Sequence, residues 1–402
     1  MLKARLIARS SSLLTFVVAL SACAGLNAPG AVTPPGVGPD ARAQQARGVS
    51  GPDAAASVEY VYTANFGSGN VSGYSVNVKT GALTQLSSSP FAAGNGPVGV
   101  AIDPKGRYAY VGNFNANTIS GYSIDAATGG LTALSGSPFP GGDEPYSAVI
   151  DASDKYVYVP NRGSNNVSAF ALDAGTGALT ALSGSPYPAG SGPVSAALDP
   201  KGKFLYLANR NGNNVTAYSI AKNGSLKQVT GSPFAAGTNP FAVIVDPSGK
   251  FVYVANYGSS TISAYTLDAK TGALTAVSGS PFGTAAGPYS VTVDKNGKFL
   301  YVPNNNADQV SAYTIDASTG ALTQVAGSPY GAGQYTNGIG TDPLGKFVYA
   351  ANEGSNNISA YVVNAKTGGL SPVSGSPFNA GSGPFEIGSC LVKGSACLPA
   401  SI

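Results

Sequence analysis

The sequence predicts an all-β fold, a seven-bladed β-propeller of four-stranded blades. Three observations carry this: a phrase that recurs at a fixed interval, a four-strand pattern inside each interval, and an incomplete unit at each end. Aligned on its last residue, the phrase "FVYVAN" (Phe251 to Asn256) recurs with Asn65, Asn113, Asn161, Asn209, Asn256, Asn304 and Asn352. The spacings are 48, 48, 48, 47, 48 and 48. Periods of about 40–50 with several strands per unit are the signature of propeller blades.

The chain begins with Lys3, Arg5 and Arg9, then an apolar stretch from Leu13 to Leu20 and the segment "LSAC" ending at Cys23. A basic start, a short apolar core and small residues before a cleavage point read as a secretory signal over residues 1–22, too short to span a bilayer in the mature protein. "LSAC" resembles the lipobox of bacterial lipoproteins, which implies lipidation at Cys23. Ala24 follows rather than Asp, so the resemblance implies outer-membrane anchoring. Residues 23–57 are rich in Ala, Pro and Gly without a period and read as a flexible tether.

Residues 58–390 hold the repeat. In one copy, "PFAVIVD" (Pro240 to Asp246) reads as the inner strand, the turn "PSGK" follows, and "FVYVAN" is the second strand. "TISAYTLD" (Thr261 to Asp268) is the third, and "KTGALTAVSGSPF" contains the outer strand. Asp before Pro-x-Gly suits a type I turn capped by the Asp side chain. Aromatics and aliphatics alternate in the second strand, so both of its faces are apolar, as a blade between two neighbours requires. The first copy opens at "VEYVYTAN" (Val58 to Asn65) without an inner strand, and the chain ends with a spare "GPFEIGSC" (Gly383 to Cys390). This C-terminal strand is expected to complete the first blade, with residues 391–402 as a tail. In an oxidising compartment Cys390 and Cys397 can pair beside that latch.

Without residues 1–22 the chain has 19 basic and 19 acidic residues, which removes the basic footprint of a nucleic-acid binder. No His is present, which excludes Ser-His triads and His metal sites; no calcium-loop pattern occurs, and neither a metal nor a cofactor is expected.

"YVYVPNRGSNNVSAF" (Tyr156 to Phe170) and "YAANEGSNNISAY" (Tyr349 to Tyr361) resemble the Asn-Arg and Asn-Glu loops of the YVTN-type, seven-bladed lactonase-like propellers. That group includes bacterial 6-phosphogluconolactonases and fungal muconate-lactonising enzymes. The resemblance implies lactone hydrolysis. Enzymatic members often carry Arg, and sometimes His, in "PRH"-type inner-strand segments, where this chain has "PFEI", "PFAV" and "PYSV".

Function in a repeat protein is sought where copies depart from the consensus. The residue after each repeated Asn is Phe66, Phe114, Arg162, Arg210, Tyr257, Asn305 or Glu353. The loop entering the third blade carries Asp143 and Glu144, and the third inner-strand position is charged only at Glu386. Alternating strand directions put these charges on one face, around the channel mouth, with Tyr146, Phe241, Tyr289 and Phe385 just inside. The expectation is an exported, lipid-anchored propeller that binds a small molecule or a protein at that mouth as an interaction scaffold. The alternative is a lactone hydrolase in which Glu353 or Glu386 acts as base and Arg162 and Arg210 hold the oxyanion.

Overall fold

The computed structural model describes residues 58–393 and 396–399. The expected signal, Cys23 and the tether lie outside the described residues, as does the side chain of Cys397. The described residues form seven antiparallel sheets; six run from inner strand to outer strand in sequence order, and the first takes its inner strand, Pro384–Lys393, from the C-terminal end. The outer strand of each blade comes in two pieces, such as Leu274–Ala276 and Phe282–Gly283, which both pair with the third strand. Between the pieces a Ser–Pro turn intervenes, and its Ser hydroxyl accepts the third-strand N–H left over: Ala264 N–H to Ser280 Oγ is 2.9 Å. The same bond recurs in every blade, from Ser89 to Ser376.

The recurring Tyr of the second strand is a staple between blades. Tyr253 donates its hydroxyl to Gly320 O of the next blade at 3.0 Å, and Tyr62, Tyr110, Tyr158, Tyr206 and Tyr301 do the same one blade on. The seventh, Tyr349, reaches Gly81 of the first blade at 3.1 Å, so this bond also closes the circle. Each such hydrogen bond contributes about 0.5–1.5 kcal/mol, added to the apolar seams between blades. The repeated Asn fastens each hairpin: Asn256 Nδ2 donates to Ser263 Oγ at 2.9 Å, while its Oδ1 accepts Gly237 N–H from the incoming loop. The recurring Asp caps its turn as expected, with Asp246 Oδ1 accepting the N–H groups of Lys250 and Phe251.

The first blade closes as the end-units predict. Pro384–Lys393 pairs antiparallel with Glu59–Asn65, and Val61, Tyr74, Tyr349, Ile358 and Ile387 pack the seam. The strand runs on past the expected boundary at Cys390 and turns back as Ala396–Pro399. Cys390 occupies the position that is Asp in the other inner strands, and it is disulfide-bonded.

One residue in the seam breaks the repeat. The position before the second strand's first aromatic is Arg107, Lys155, Lys203, Lys250, Lys298 or Lys346 in six blades and Glu59 in the first. Glu59 is 0% exposed, and neither carboxylate oxygen has a hydrogen-bond partner. Burial pushes its carboxyl up to about 9, with Asp342 reinforcing the shift and Lys346 opposing it.

Candidate functional site

The inner strands present their second residue to the channel mouth by breaking their own ladder. In the second, fourth and fifth blades the pairing slips around this residue, between Pro97 and Gly99, Pro193 and Ser195, and Pro240 and Ala242. Such a bulge re-aims a side chain. In the third and sixth blades the second strand reads "VPN", so Pro160 and Pro303 offer no N–H to the inner strand. Regular pairing there shrinks to Val149–Ile150 and Thr292–Val293. Tyr146 N–H and Tyr289 N–H donate to the Pro160 and Pro303 carbonyls at 2.9 and 3.0 Å.

The aromatic residues form a closed circuit. Phe66, Phe114, Tyr146, Phe241, Tyr289 and Phe385 contact in that order and back to Phe66, with ring centroids between 3.8 and 6.2 Å apart. Tyr257 leans on Phe241 and Tyr289. Tyr146, Phe241, Tyr289 and Phe385, expected just inside the entrance, thus form part of a paved floor. Phe66, Phe114 and Tyr257 were legible only as variable positions after the Asn. Tyr146 and Tyr289, three blades apart, both pack against the Phe241 ring. Burial pushes the Tyr146 hydroxyl up to about 12 despite Arg162 and Arg210 nearby, and burial raises Tyr289 well above the ordinary range.

The charges sit on this floor. Arg162 Nη1 pairs with Glu144 at 3.0 Å and its guanidinium lies 5.7 Å from the Phe114 centroid, while its Nε is buried without a partner. Arg210 lies 5.0 Å over Phe241 and forms no ion pair among the described residues. Glu353, across the ring, accepts from Asn337 Nδ2 at 2.7 Å, and Asn337 Oδ1 accepts from Asn305. At the Tyr289 hydroxyl Glu353 adds to the upward shift that burial causes, and Arg210 opposes it. Asp143 is exposed and its carboxylate packs against Gly163, outside this group. Asn305 and Asn337, buried and polar, were missed as site residues; Asn337 was detectable as the sole polar residue at its inner-strand position.

Glu386 is one layer lower. Below the floor all seven inner strands enclose a cavity of about 200 Å³, and Glu386 supplies the one charged side chain in its lining among the described residues. Its carboxylate accepts a hydrogen bond from Ser147, two blades away. Space for this reach comes from the blades on either side: a Cβ on Gly99 would strike Ser147 Oγ and Glu386 Oε2, and one on Gly338 would strike the Glu386 backbone. Enclosure by the ring pushes the carboxyl up to about 7, with the Ser147 bond opposing; its edge still borders the cavity.

Solved structures share the fold at low identity. A candidate 6-phosphogluconolactonase from Bacteroides fragilis superposes with a TM-score of 0.73 at 21% identity, over 85% of this chain and 100% of that one. A second, from Bacteroides uniformis, gives 0.72 at 19%, over 84% and 99%. The periplasmic gluconolactonase of Pseudomonas aeruginosa gives 0.71 at 18%, over 84% and 99%. No curated protein sequence matches. The family model described as lactonase, 7-bladed beta-propeller, matches residues 54–194, 183–286 and 281–383. With the repeat covered from end to end in this way, the chain belongs to the lactonase family of seven-bladed β-propellers.

Proposed function

We propose that the protein is a lactone hydrolase acting at the channel mouth. The observation that carries the reading is Arg210 lying over the aromatic floor with no ion pair among the described residues, while the Glu353 carboxylate, three blades on at the same loop position, is held by Asn337. A lactone lying on that floor places its carbonyl oxygen toward the guanidinium groups of Arg210 and Arg162. Glu353 takes a proton from water as the water oxygen bonds to the carbonyl carbon. The arginines hold the negative charge that develops on the carbonyl oxygen. Collapse breaks the ring C–O bond, and the proton returns from Glu353 to the departing alkoxide, leaving a hydroxy acid. Glu353 is favoured over Glu386 as base because Glu386 lies below the floor and is engaged with Ser147.

This reading replaces the interaction scaffold as the preferred one, since membership of a lactonase family supports hydrolysis and no feature of the mouth favours a protein partner over a small ring. Export as a lipid-anchored protein belongs to the same proposal and rests on the Leu13–Leu20 stretch and Cys23.

The test is pH-stat hydrolysis of a panel of sugar and aliphatic lactones by the full chain. Arg210→Ala is expected to lower kcat/KM by about 10²–10³, the effect of losing one oxyanion donor, and Glu353→Gln by about 10²–10⁴. No rate above the spontaneous one, or full activity in Glu353→Gln, would overturn the proposal.

A further inference from the structure

The residue that precedes each inner strand adopts a left-handed backbone. In four blades it is glycine: Gly96, Gly192, Gly287 and Gly383, with φ between 66° and 72°. In the other three it is Glu144, Asn239 or Tyr335, with φ of 52°, 50° and 53°. Asn tolerates this region, whereas a bulky aromatic there is an outlier that persists only when its surroundings hold it. Tyr335 is so held: its N–H donates to Asp308 Oδ1 at 2.8 Å, and its carbonyl accepts from Glu353 N–H at 3.1 Å.

The glycine slots show where a side chain from this position goes. A Cβ on Gly96 would meet Asn115 of its own blade and Phe66 of the preceding one, and a Cβ on Gly383 would meet Gly67 and Glu353. The slot therefore overlooks the ring of residues after the repeated Asn, the ring that carries Arg162, Arg210 and Glu353. In the third blade Glu144 uses it to reach Arg162. In the seventh, the Tyr335 ring lies against Gly354, where a Cβ would collide with it, directly beside Glu353. It remains 56% exposed, a large aromatic surface that no described residue covers at the edge of the mouth. Its carbonyl accepts from Glu353 N–H, and the Glu353 carboxylate accepts in turn from Asn337.

We infer that Tyr335 is a specificity-determining platform: its exposed face stacks on the C–H face of a polyhydroxylated ring whose hydroxyls reach Glu353, selecting sugar lactones over small aliphatic ones. The kinetic test rests on the lactonase reading; a binding measurement separates the two.

With the full chain, KM and kcat are measured for D-glucono-1,5-lactone and γ-butyrolactone in the wild type, Tyr335→Gly and Tyr335→Phe. Tyr335→Gly is expected to raise KM for the sugar lactone roughly tenfold, as loss of an aromatic contact does, with kcat within about twofold. γ-Butyrolactone constants stay unchanged, Tyr335→Phe behaves as wild type, and the melting temperature of Tyr335→Gly is no lower than that of the wild type, because the backbone strain is relieved. Equal effects on both substrates, no effect on either, or a lowered melting temperature would overturn the inference. If the wild type hydrolyses neither lactone, the proposed function fails, and calorimetry with methyl β-D-glucopyranoside decides the rest. Binding that Tyr335→Gly abolishes upholds the platform, and absence of binding or retention in the variant overturns it.

Discussion

Glu59→Gln offers a test of how the ring is latched. Glu59 is buried in the seam between the last and first blades, with both oxygens unpartnered and Asp342 nearby. Its carboxyl moves from 4.5 in an open chain to about 9 in the folded ring. Between these values the folded state keeps a proton that the unfolded chain has released, so stability must fall as pH rises through this window. The contribution of this group is fully present below about pH 4.5, and its loss is complete only above about 9. Each unit costs about 1.4 kcal/mol, so the wild type should lose roughly 4 kcal/mol between pH 5 and pH 8 through this group alone. Gln cannot titrate, so the variant lacks this slope and gains on the wild type steadily with pH. The assay is urea unfolding of both full chains at pH 5, 6, 7 and 8. Parallel stability profiles would refute the argument and show that water or a cation reaches the carboxylate in the seam.

Two further substitutions probe the ring and the chamber. Tyr349→Phe removes the hydroxyl bond to Gly81 that spans the closing seam, and Tyr253→Phe removes its counterpart to Gly320 inside the ring. Both should cost about 1 kcal/mol in urea unfolding, and a much smaller loss at Tyr349 would mean that the closing seam is looser than the others. Gly99→Ala puts a methyl group into Ser147 and Glu386, so it should destabilise by roughly 1–3 kcal/mol. Adding Glu386→Ala should recover part of that loss, and a double variant that is simply additive would deny the contact.

The architecture was legible because the repeat states it seven times. The Tyr of "FVYVAN" reads as an apolar-face residue from its alternation alone, but its hydroxyl partner lies in the next blade, 66 or 67 residues away, and only the closed ring reveals the staple. The two ends announced the closing strand because each lacked what the other supplied. Glu59 escaped notice for the opposite reason: it sits at a position that is exposed and basic in most copies, and only closure against Pro384–Lys393 buries it.

The site was legible as a set of positions and not as an arrangement. Arg162, Arg210, Glu353 and Glu386 stood out as charges in slots where other copies carry none, and three of them do share the mouth. Glu386 departs from them because its slot lies one residue further along the inner strand, below the residues that pave the floor. Its room comes from Gly99 and Gly338, which flank it in the ring although they are distant in sequence, so their meaning emerges only when first and last blades become neighbours. The same logic joins Pro160 to Tyr146 and Pro303 to Tyr289. In each pair a missing N–H in the second strand accompanies a loosened inner strand and a tyrosine at the channel axis. The two copies that break the ladder in this way stand three blades apart, and their tyrosines close the floor on which the proposed chemistry takes place.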